Sequence, residues 1–278
     1  MLASCAEAPT GGVRIVASTD VYGSIASAIA GSHAVITSFI DSPSQDPHEF
    51  EASARAQLEL SRADIVVVNG GGYDDFMDIL LSGAGNDAAE VLRAVDFSAE
   101  PEAELSANEH VWYDLDAMRT LADALAETLA TADPANAADY RSNFEAFGAE
   151  LDALSSRVDV LAASHTGEAV LVTEPVPLYL LADAGFTNRT PAQFSTAIEN
   201  GQGVPPAFMK EVIDLLSGGD IALLAYNEQT QGPETTHILA SAREHGVPVI
   251  AVTETLPAGL DYVTWMSDTI RAIAEALE

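Results

Sequence analysis

Short apolar runs alternate along the chain with longer segments of helical periodicity. The strand-like runs cover residues 13–19, 34–40, 63–70, 168–174, 220–227 and 247–254. Helix-like stretches such as 21–30 and 53–62 lie between them. Continuous apolar runs are typical of strands buried in parallel sheets, and strand–helix alternation predicts helices on both faces of such sheets. The pattern therefore predicts an α/β fold with two lobes, each a parallel-type sheet flanked by helices.

A long amphipathic helix is predicted between the two sets of strands, from Asp139 to Ala163. Its apolar residues recur at steps of three and four, which places them in one stripe: Tyr140, Phe144, Phe147, Leu151, Leu154, Val158 and Leu161. At 1.5 Å per residue, this helix spans on the order of 35 Å. We interpret it as a rigid connector, because no Pro-rich or Gly/Ser linker competes for the boundary. The predicted organisation is a tether at 1–12, an N-terminal lobe at 13–138, the connecting helix at 139–163 and a C-terminal lobe at 164–278.

The net charge of the protein limits the classes of partner that it can bind. The 278 residues include 43 acids against 11 bases, a formal net charge of -32, which argues against nucleic acid or an anionic membrane surface as a partner. The acidity suits a cation-handling protein or a very soluble exported one, although a general acidic bias of the source proteome would give the same charge. No apolar run reaches the roughly 18 residues of a membrane span.

The single cysteine lies near the start of the chain and excludes an internal disulfide. Leu2-Ala3-Ser4-Cys5 has the form of a bacterial lipobox, and Ala6 to Gly12 has the composition of a polar tether. The basic and apolar part of a signal peptide does not precede Leu2. We expect a trimmed lipoprotein whose Cys5 carries the lipid on the outer face of the cell membrane; the alternative is a chance match.

A glycine-rich stretch, NGGGYDD at residues 69–75, invites comparison with phosphate-binding loops. It lacks the lysine and Ser/Thr of a P-loop and the glycine spacing of a dinucleotide fingerprint. Acids follow it directly, so anion binding is disfavoured. We predict a strand-to-helix turn.

Four stretches place a metal-ligating side chain in a loop or at a strand end. His48 lies in an acidic turn, His110 lies in NEHVWYD, and Glu174 and Glu254 each end a Val-Thr-Glu sequence after an apolar strand. Open α/β sheets bind their ligands at the carboxyl ends of parallel strands. Two imidazoles and two carboxylates, two from each half, form a four-ligand set for a divalent cation. The remaining histidines lack such a context and are interpreted as structural or exposed.

The chain resembles the solute-binding proteins of bacterial zinc and manganese ABC importers, the cluster A-I group, from Val13 to Glu278. The matching pieces, in order, are DPHEFEAS, ADIVVVNGGGYDDFM, NEHVWYD, the long connecting helix, VTEPVPLYLL, YNEQT and VTETLPAGLDYVTWM. The resemblance implies two α/β lobes joined by one rigid helix, with a single metal ion at the lobe interface.

The resemblance also implies roles for individual residues. His48 and His110 match the two histidine ligands of the N-terminal lobe. Glu174 stands where zinc-selective members usually have a third histidine and manganese-type members have Glu. Glu254 stands where the family usually has Asp, so Asp261, seven residues on, is the alternative fourth ligand. The region before His110 offers only acids, without the His-rich loop of many zinc-specific members.

We therefore expect a binding protein and not an enzyme. As a monomer, it would capture one Mn²⁺ or Zn²⁺ outside the cell and deliver it to an ABC permease driven by its ATPase. Two Glu ligands that each bind through both oxygens would raise the coordination number and favour manganese. One rival is a metal-dependent hydrolase that uses the same His/Glu cluster, although no HExxH motif supports it. A second rival is a binding protein for an organic solute.

Overall fold

The computed structural model describes residues 12–42, 45, 50, 53–99, 105 and 108–278. The predictions for Cys5 and His48 lie outside the described residues. None of the helices in the described part combines the length and the apolarity that a membrane span requires.

The N-terminal lobe contains a four-stranded parallel sheet with the order β2-β1-β3-β4. Its elements are β1 (Val13–Thr19), α1 (Asp20–Ala30), β2 (Ala34–Ile40), α2 (Ala54–Leu60), β3 (Ile65–Val68), α3 (Asp75–Ala84), β4 (Glu90–Arg93) and α4 (Leu115–Ala132). Two short 3-10 turns, Ala94–Phe97 and Val111–Tyr113, lie between β4 and α4.

Helix α5 (Ala137–His165) joins the lobes and matches the predicted connector. Its apolar stripe is buried as expected, with Phe144 only partly covered. Asn143 donates to the carbonyl of Ile29 at 3.0 Å, which ties the helix to α1. Arg157 donates to the Ser267 hydroxyl at 2.7 Å, which ties it to the last helix of the other lobe. The connector is thus fixed to both lobes along its length.

The C-terminal lobe repeats the architecture with the strand order β6-β5-β7-β8, again all parallel. Its elements are β5 (Ala169–Val172), α6 (Leu178–Asp183), β6 (Thr187–Asn188), α7 (Ala192–Glu199), α8 (Pro206–Gly218), β7 (Ile221–Asn227), α9 (Pro233–Glu244), β8 (Val249–Val252) and α10 (Tyr262–Ala276).

All six predicted strands are present, and the α/β class with two parallel sheets is confirmed. Strands β4 and β6 were missed by the sequence pattern. Both lie at sheet edges, and each is short and mostly half-exposed, with Leu92 the single buried residue of the two. With four and two residues, neither strand contains a continuous apolar run, so the pattern carried no signal for them.

One hydrophobic core runs through both lobes. Tyr113 packs edge-on against Trp265, with ring centroids 5.5 Å apart, and Phe147 of α5 packs against Tyr262 at 6.2 Å. The Tyr262 hydroxyl donates to the carbonyl of Trp112 at 2.7 Å. This shared core holds the two sheets against each other and fixes the cleft between them.

Candidate metal centre

Three neighbouring strands of the C-terminal sheet end at one cleft. Glu174 follows β5 by two residues, Asn227 is the last residue of β7, and Glu254 follows β8 by two residues. Because β5, β7 and β8 are adjacent and parallel, their carboxyl ends bring these three side chains together. Glu174 is 2% exposed and Glu254 is 7% exposed, so both carboxylates are buried.

The Asn227 amide bridges the two carboxylates. Its Nδ2 donates to Glu174 Oε2 at 2.6 Å and to Glu254 Oε1 at 2.6 Å. The Thr230 hydroxyl donates to the other oxygen of Glu174. The backbone N–H of Glu254 donates to Gln229 Oε1 at 2.6 Å. The structure therefore places the carboxylates of Glu174 and Glu254 on the same amide in the cleft.

His110 lies in the N-terminal lobe and is 1% exposed. Its Nδ1 lies 2.7 Å from Asn108 Oδ1, which also accepts the backbone N–H of His110 at 3.1 Å. Because an amide oxygen only accepts, Nδ1 carries the proton and Nε2 carries the lone pair. A hydrogen bond of this kind fixes the tautomer and ring orientation of metal-ligating histidines.

The loop that carries His110 is hydrogen-bonded to both glutamate-bearing loops. Asn108 Nδ2 donates to the carbonyl of Pro175 at 2.9 Å, next to Glu174. The Tyr113 hydroxyl donates to the carbonyl of Thr253 at 3.0 Å, next to Glu254. The Tyr179 hydroxyl donates back to the carbonyl of Asn108 at 2.8 Å. These bonds hold the imidazole and the two carboxylates at one lobe interface.

Two further acids lie beside His110. Ligand atoms of Glu109, His110 and Glu199 all lie within 4.8 Å of one another. Burial raises the pKa of Glu109 to about 7, and the charge of Glu199 adds to the rise. Burial likewise raises the pKa of Glu199 to about 7, with a contribution from Glu174. Glu199 thus connects the His110 group to the Glu174 side of the cleft.

Neither of these acids was predicted from the sequence. Glu109 could have been found, because it precedes a predicted ligand directly in NEHVWYD. Glu199 gave no signal, since it ends α7 in an ordinary amphipathic pattern far from the other stretches.

The glycine-rich stretch is the predicted strand-to-helix turn between β3 and α3. Gly70, Gly71 and Gly72 all adopt positive φ, at 78°, 70° and 104°. A Cβ on Gly70 would lie 2.9 Å from Val95, and one on Gly72 would lie 3.3 Å from Glu109 Oε2. The turn therefore lets the backbone pass close to the loop that carries Glu109.

The turn is itself anchored by buried polar groups. Asp74 accepts the backbone N–H groups of Asn69 and Gly70 at 2.7 and 2.8 Å. Asn69 Nδ2 donates to the carbonyl of Glu109 at 2.9 Å, which supports the residue before His110. Burial raises the pKa of Tyr73 well above its usual value, and the negative charge of Glu254 raises it further, so the turn also faces the C-terminal lobe.

The alternative ligand Asp261 lies on the surface. Its Oδ1 accepts the backbone N–H of Thr264 at 2.8 Å and caps α10. An exposed capping carboxylate has a structural role. Of the two candidates for the fourth ligand, Glu254 is buried and shares the Asn227 amide with Glu174, whereas Asp261 is exposed.

The raised pKa values predict how the stability of the metal-free protein depends on pH. Folding raises the pKa of Glu109 and Glu199 to about 7, so the folded form binds protons more tightly than the unfolded chain. The resulting stability is complete below about pH 4.3, the ordinary Glu value, and is lost as pH rises through about 7. Glu199→Gln should therefore raise the melting temperature at alkaline pH by about 2 °C, since partial exposure limits the cost of burying the charged carboxylate to ~1 kcal/mol.

Thermal unfolding of chelator-treated protein across this pH range measures the effect. Glu211→Gln, on the exposed face of α8, is the matched control and should leave the pH profile unchanged. An identical profile for wild type and Glu199→Gln would contradict the raised pKa of Glu199.

The chain matches a known protein family over most of its length. The family model described as "Zinc-uptake complex component A periplasmic" matches residues 15–276. The chain belongs to this family. The resemblance inferred from the sequence is thereby confirmed, and membership places the chain among transport proteins and not among enzymes.

Several known proteins are similar to this chain at low sequence identity. The manganese-binding lipoprotein MntA of Halalkalibacterium halodurans is 25% identical over 178 residues, 63% of this chain and 59% of MntA. The metal ABC transporter substrate-binding lipoprotein SloC of Streptococcus mutans is 28% identical over 51% of this chain and 49% of SloC. ScbA of Streptococcus cristatus aligns over 99% of this chain and 92% of its own length, at 22% identity. The matches to MntA and SloC thus span only about half to three fifths of those proteins.

Solved structures share the whole fold. The binding protein FpvC of Pseudomonas aeruginosa, solved with Mn²⁺, superposes with a TM-score of 0.78 at 22% identity, over 96% of this chain and 98% of FpvC. The periplasmic zinc-binding protein TroA of Treponema pallidum gives 0.77 at 19% identity, over 96% and 99%. At these identities the likeness shows a common two-lobed architecture with a long connecting helix.

Proposed function

We propose that this protein captures a divalent transition metal ion, Mn²⁺ or Zn²⁺, outside the cytoplasmic membrane and delivers it to an ABC importer. One observation carries the proposal: the buried carboxylates of Glu174 and Glu254 share one amide in the cleft, and the loop that carries the buried His110 is hydrogen-bonded to the loop that carries Glu174. The relatives named as metal-binding lipoproteins, and the FpvC structure with Mn²⁺, support the choice of cargo.

The proposed ligands of a single ion are His48 and His110 from the N-terminal half and Glu174 and Glu254 from the C-terminal half. Imidazole nitrogen and carboxylate oxygen are ligands that both Mn²⁺ and Zn²⁺ accept. His48 keeps its place in the set through its position in DPHEFEAS, the first of the family-like stretches. The proposed lobes are residues 13–138 and 164–278, with the ion between them.

The charge of the cleft explains why a cation would be held tightly. Glu174 and Glu254 are buried and share one neutral amide, and the partly buried Glu109 and Glu199 lie close to His110. Buried like charges repel each other and pay a desolvation cost. A dication removes this repulsion when it binds, so part of its affinity comes from relief of strain in the metal-free state.

The hydrogen bonds disfavour the hydrolase alternative. A metal hydrolase needs an open coordination position for water and a carboxylate placed as general base. Here the Glu174 carboxylate accepts hydrogen bonds from Asn227 and Thr230, and the Glu254 carboxylate accepts one from Asn227. The cleft also presents mostly carboxylates, which suits a cation better than an organic solute.

The proposal extends to the location and partners of the protein. We propose that Cys5 carries a lipid anchor on the outer face of the cell membrane, that the protein acts as a monomer, and that an ABC permease with its ATPase receives the ion. The lipobox form of Leu2 to Cys5 supports the anchor, as do the relatives named lipoproteins.

Proton competition provides the test of this function. Imidazole must be neutral and carboxylates must be ionised to coordinate a metal. Affinity for Zn²⁺ or Mn²⁺ should therefore fall at least about tenfold between about pH 7.5 and about pH 5, through the ordinary pKa of His near 6.5. Calorimetric titration of chelator-stripped protein measures the affinity and the stoichiometry, expected to be one ion per chain. An absence of binding, or an affinity that stays level over this range, would contradict the proposal.

A further inference from the structure

Asn227 is a buried side chain with every polar group in use. It is 1% exposed, and its backbone N–H donates to Thr173 Oγ1 at 3.1 Å. Its side-chain oxygen accepts the backbone N–H of Gln229 at 3.0 Å. These bonds fix the amide orientation, so that Nδ2 faces the two carboxylates.

Both hydrogens of that Nδ2 are committed to the candidate metal ligands. One donates to Glu174 Oε2 and the other to Glu254 Oε1, each at 2.6 Å. Hydrogen bonds to ionised carboxylates are short and strong compared with neutral ones. The Asn227 amide therefore holds one particular oxygen of each glutamate and keeps that oxygen turned away from the ion. We call this amide the clamp.

The clamp bears on the way in which the carboxylates bind a metal. A carboxylate binds through both oxygens only when both are directed at the ion. An oxygen held by an amide can still coordinate with its second lone pair, but it is less electron-rich and is directed at the donor. The other oxygen of Glu174 accepts from Thr230 as well. While Asn227 keeps both bonds, single-oxygen coordination by each glutamate is favoured.

Coordination number separates the two candidate ions. Zinc in proteins is usually four-coordinate, whereas manganese suits sites of higher coordination built from oxygen ligands. Two bidentate glutamates would raise the coordination number, which is the geometry expected from the sequence for a manganese site. The amide clamp works against that geometry.

We propose that Asn227 is a positioning residue that sets metal selectivity: by holding one oxygen of each of Glu174 and Glu254, it keeps both carboxylates monodentate and shifts the site toward four-coordinate ions such as Zn²⁺. This inference rests on the proposed metal-binding function. It assigns the selectivity to a residue that does not touch the ion.

Asn227→Ala tests the inference. The variant releases both oxygens, so Zn²⁺ affinity should fall about tenfold, the usual effect of losing a group that orients metal ligands. Mn²⁺ affinity should fall less or rise, because bidentate binding becomes possible. The Zn²⁺-to-Mn²⁺ affinity ratio should therefore fall at least about fivefold, mainly because Zn²⁺ affinity falls about tenfold. Competition titrations of the chelator-stripped full chain against a metal-binding dye measure the ratio.

Cobalt reports the geometry directly. Four-coordinate Co²⁺ absorbs visible light much more strongly than six-coordinate Co²⁺. Wild-type protein loaded with Co²⁺ should show the strong bands, and Asn227→Ala should weaken them. A role limited to folding stability would leave the bands of the loaded, folded variant unchanged.

The outcomes separate this inference from the function on which it rests. Failure of wild-type protein to bind either ion would contradict the proposed function. Binding of both ions by wild type, with an unchanged ratio and unchanged Co²⁺ bands in Asn227→Ala, would overturn the inference alone. If Asn227→Ala does not fold, Asn227→Ser decides, because a hydroxyl has a single hydrogen and can hold at most one of the two carboxylates: a lowered ratio supports the selectivity role and an unchanged ratio refutes it.

Discussion

Replacing His110 with Ala is expected to lower the affinity for Zn²⁺ and Mn²⁺ at least tenfold. Loss of a group that only orients a ligand costs about 10- to 100-fold in metal affinity, and loss of the ligand itself should cost at least as much. The imidazole is buried, and its Nδ1 bond to Asn108 directs Nε2 for coordination. Alanine removes that donor and leaves the buried carboxylates facing the ion with one ligand fewer.

Calorimetry with a competing chelator measures this loss. His245→Ala is the matched control, since His245 is exposed at the end of α9, where its ring contacts the carbonyl of Ser241 at 2.9 Å. The control should bind as wild type does. Equal affinity in His110→Ala and wild type would remove His110 from the ligand set.

Glu174→His is expected to change which ion the site prefers. The substitution places an imidazole where zinc-selective relatives of the importer family usually have one, and imidazole suits zinc better than manganese. We expect the Zn²⁺-to-Mn²⁺ affinity ratio to rise on the order of tenfold, or about 1.4 kcal/mol of differential binding. Asn227 would keep its bond to Glu254, so one carboxylate remains clamped.

Competition titrations with both ions give this ratio. Glu211→His, on the exposed surface of α8, adds an imidazole remote from the cleft and controls for weak surface binding. A ratio that stays the same or falls in Glu174→His would show that Glu174 does not set the selectivity.

The sequence predicted the parts of the fold that are marked by a continuous apolar run or a continuous apolar stripe. All six predicted apolar runs became strands, whether central in their sheet or at its edge, and the stripe from Tyr140 to Leu161 became the connector α5. Strands β4 and β6 could not be predicted, because they have only four and two residues and too few apolar side chains to form a run.

The candidate site was predictable only in part, for a similar reason. Glu174 and Glu254 could be placed together, because both follow strands of one parallel sheet. Asn227 lies in YNEQT, yet nothing local indicates that its amide reaches two carboxylates from other strands. Glu199 is brought to His110 by the packing of α7, which no sequence pattern encodes. His48 stays a prediction.

Diffraction at the manganese absorption edge tests the central claim most directly. Crystals of the wild-type protein grown with Mn²⁺ should show one anomalous peak in the cleft, at about 2.0–2.3 Å from His110 Nε2 and from an oxygen of each of Glu174 and Glu254. His48 should complete the set. A peak that lies away from these side chains, or a cleft without a peak in crystals that contain the ion, would contradict the assignment of this protein as a metal carrier with that site.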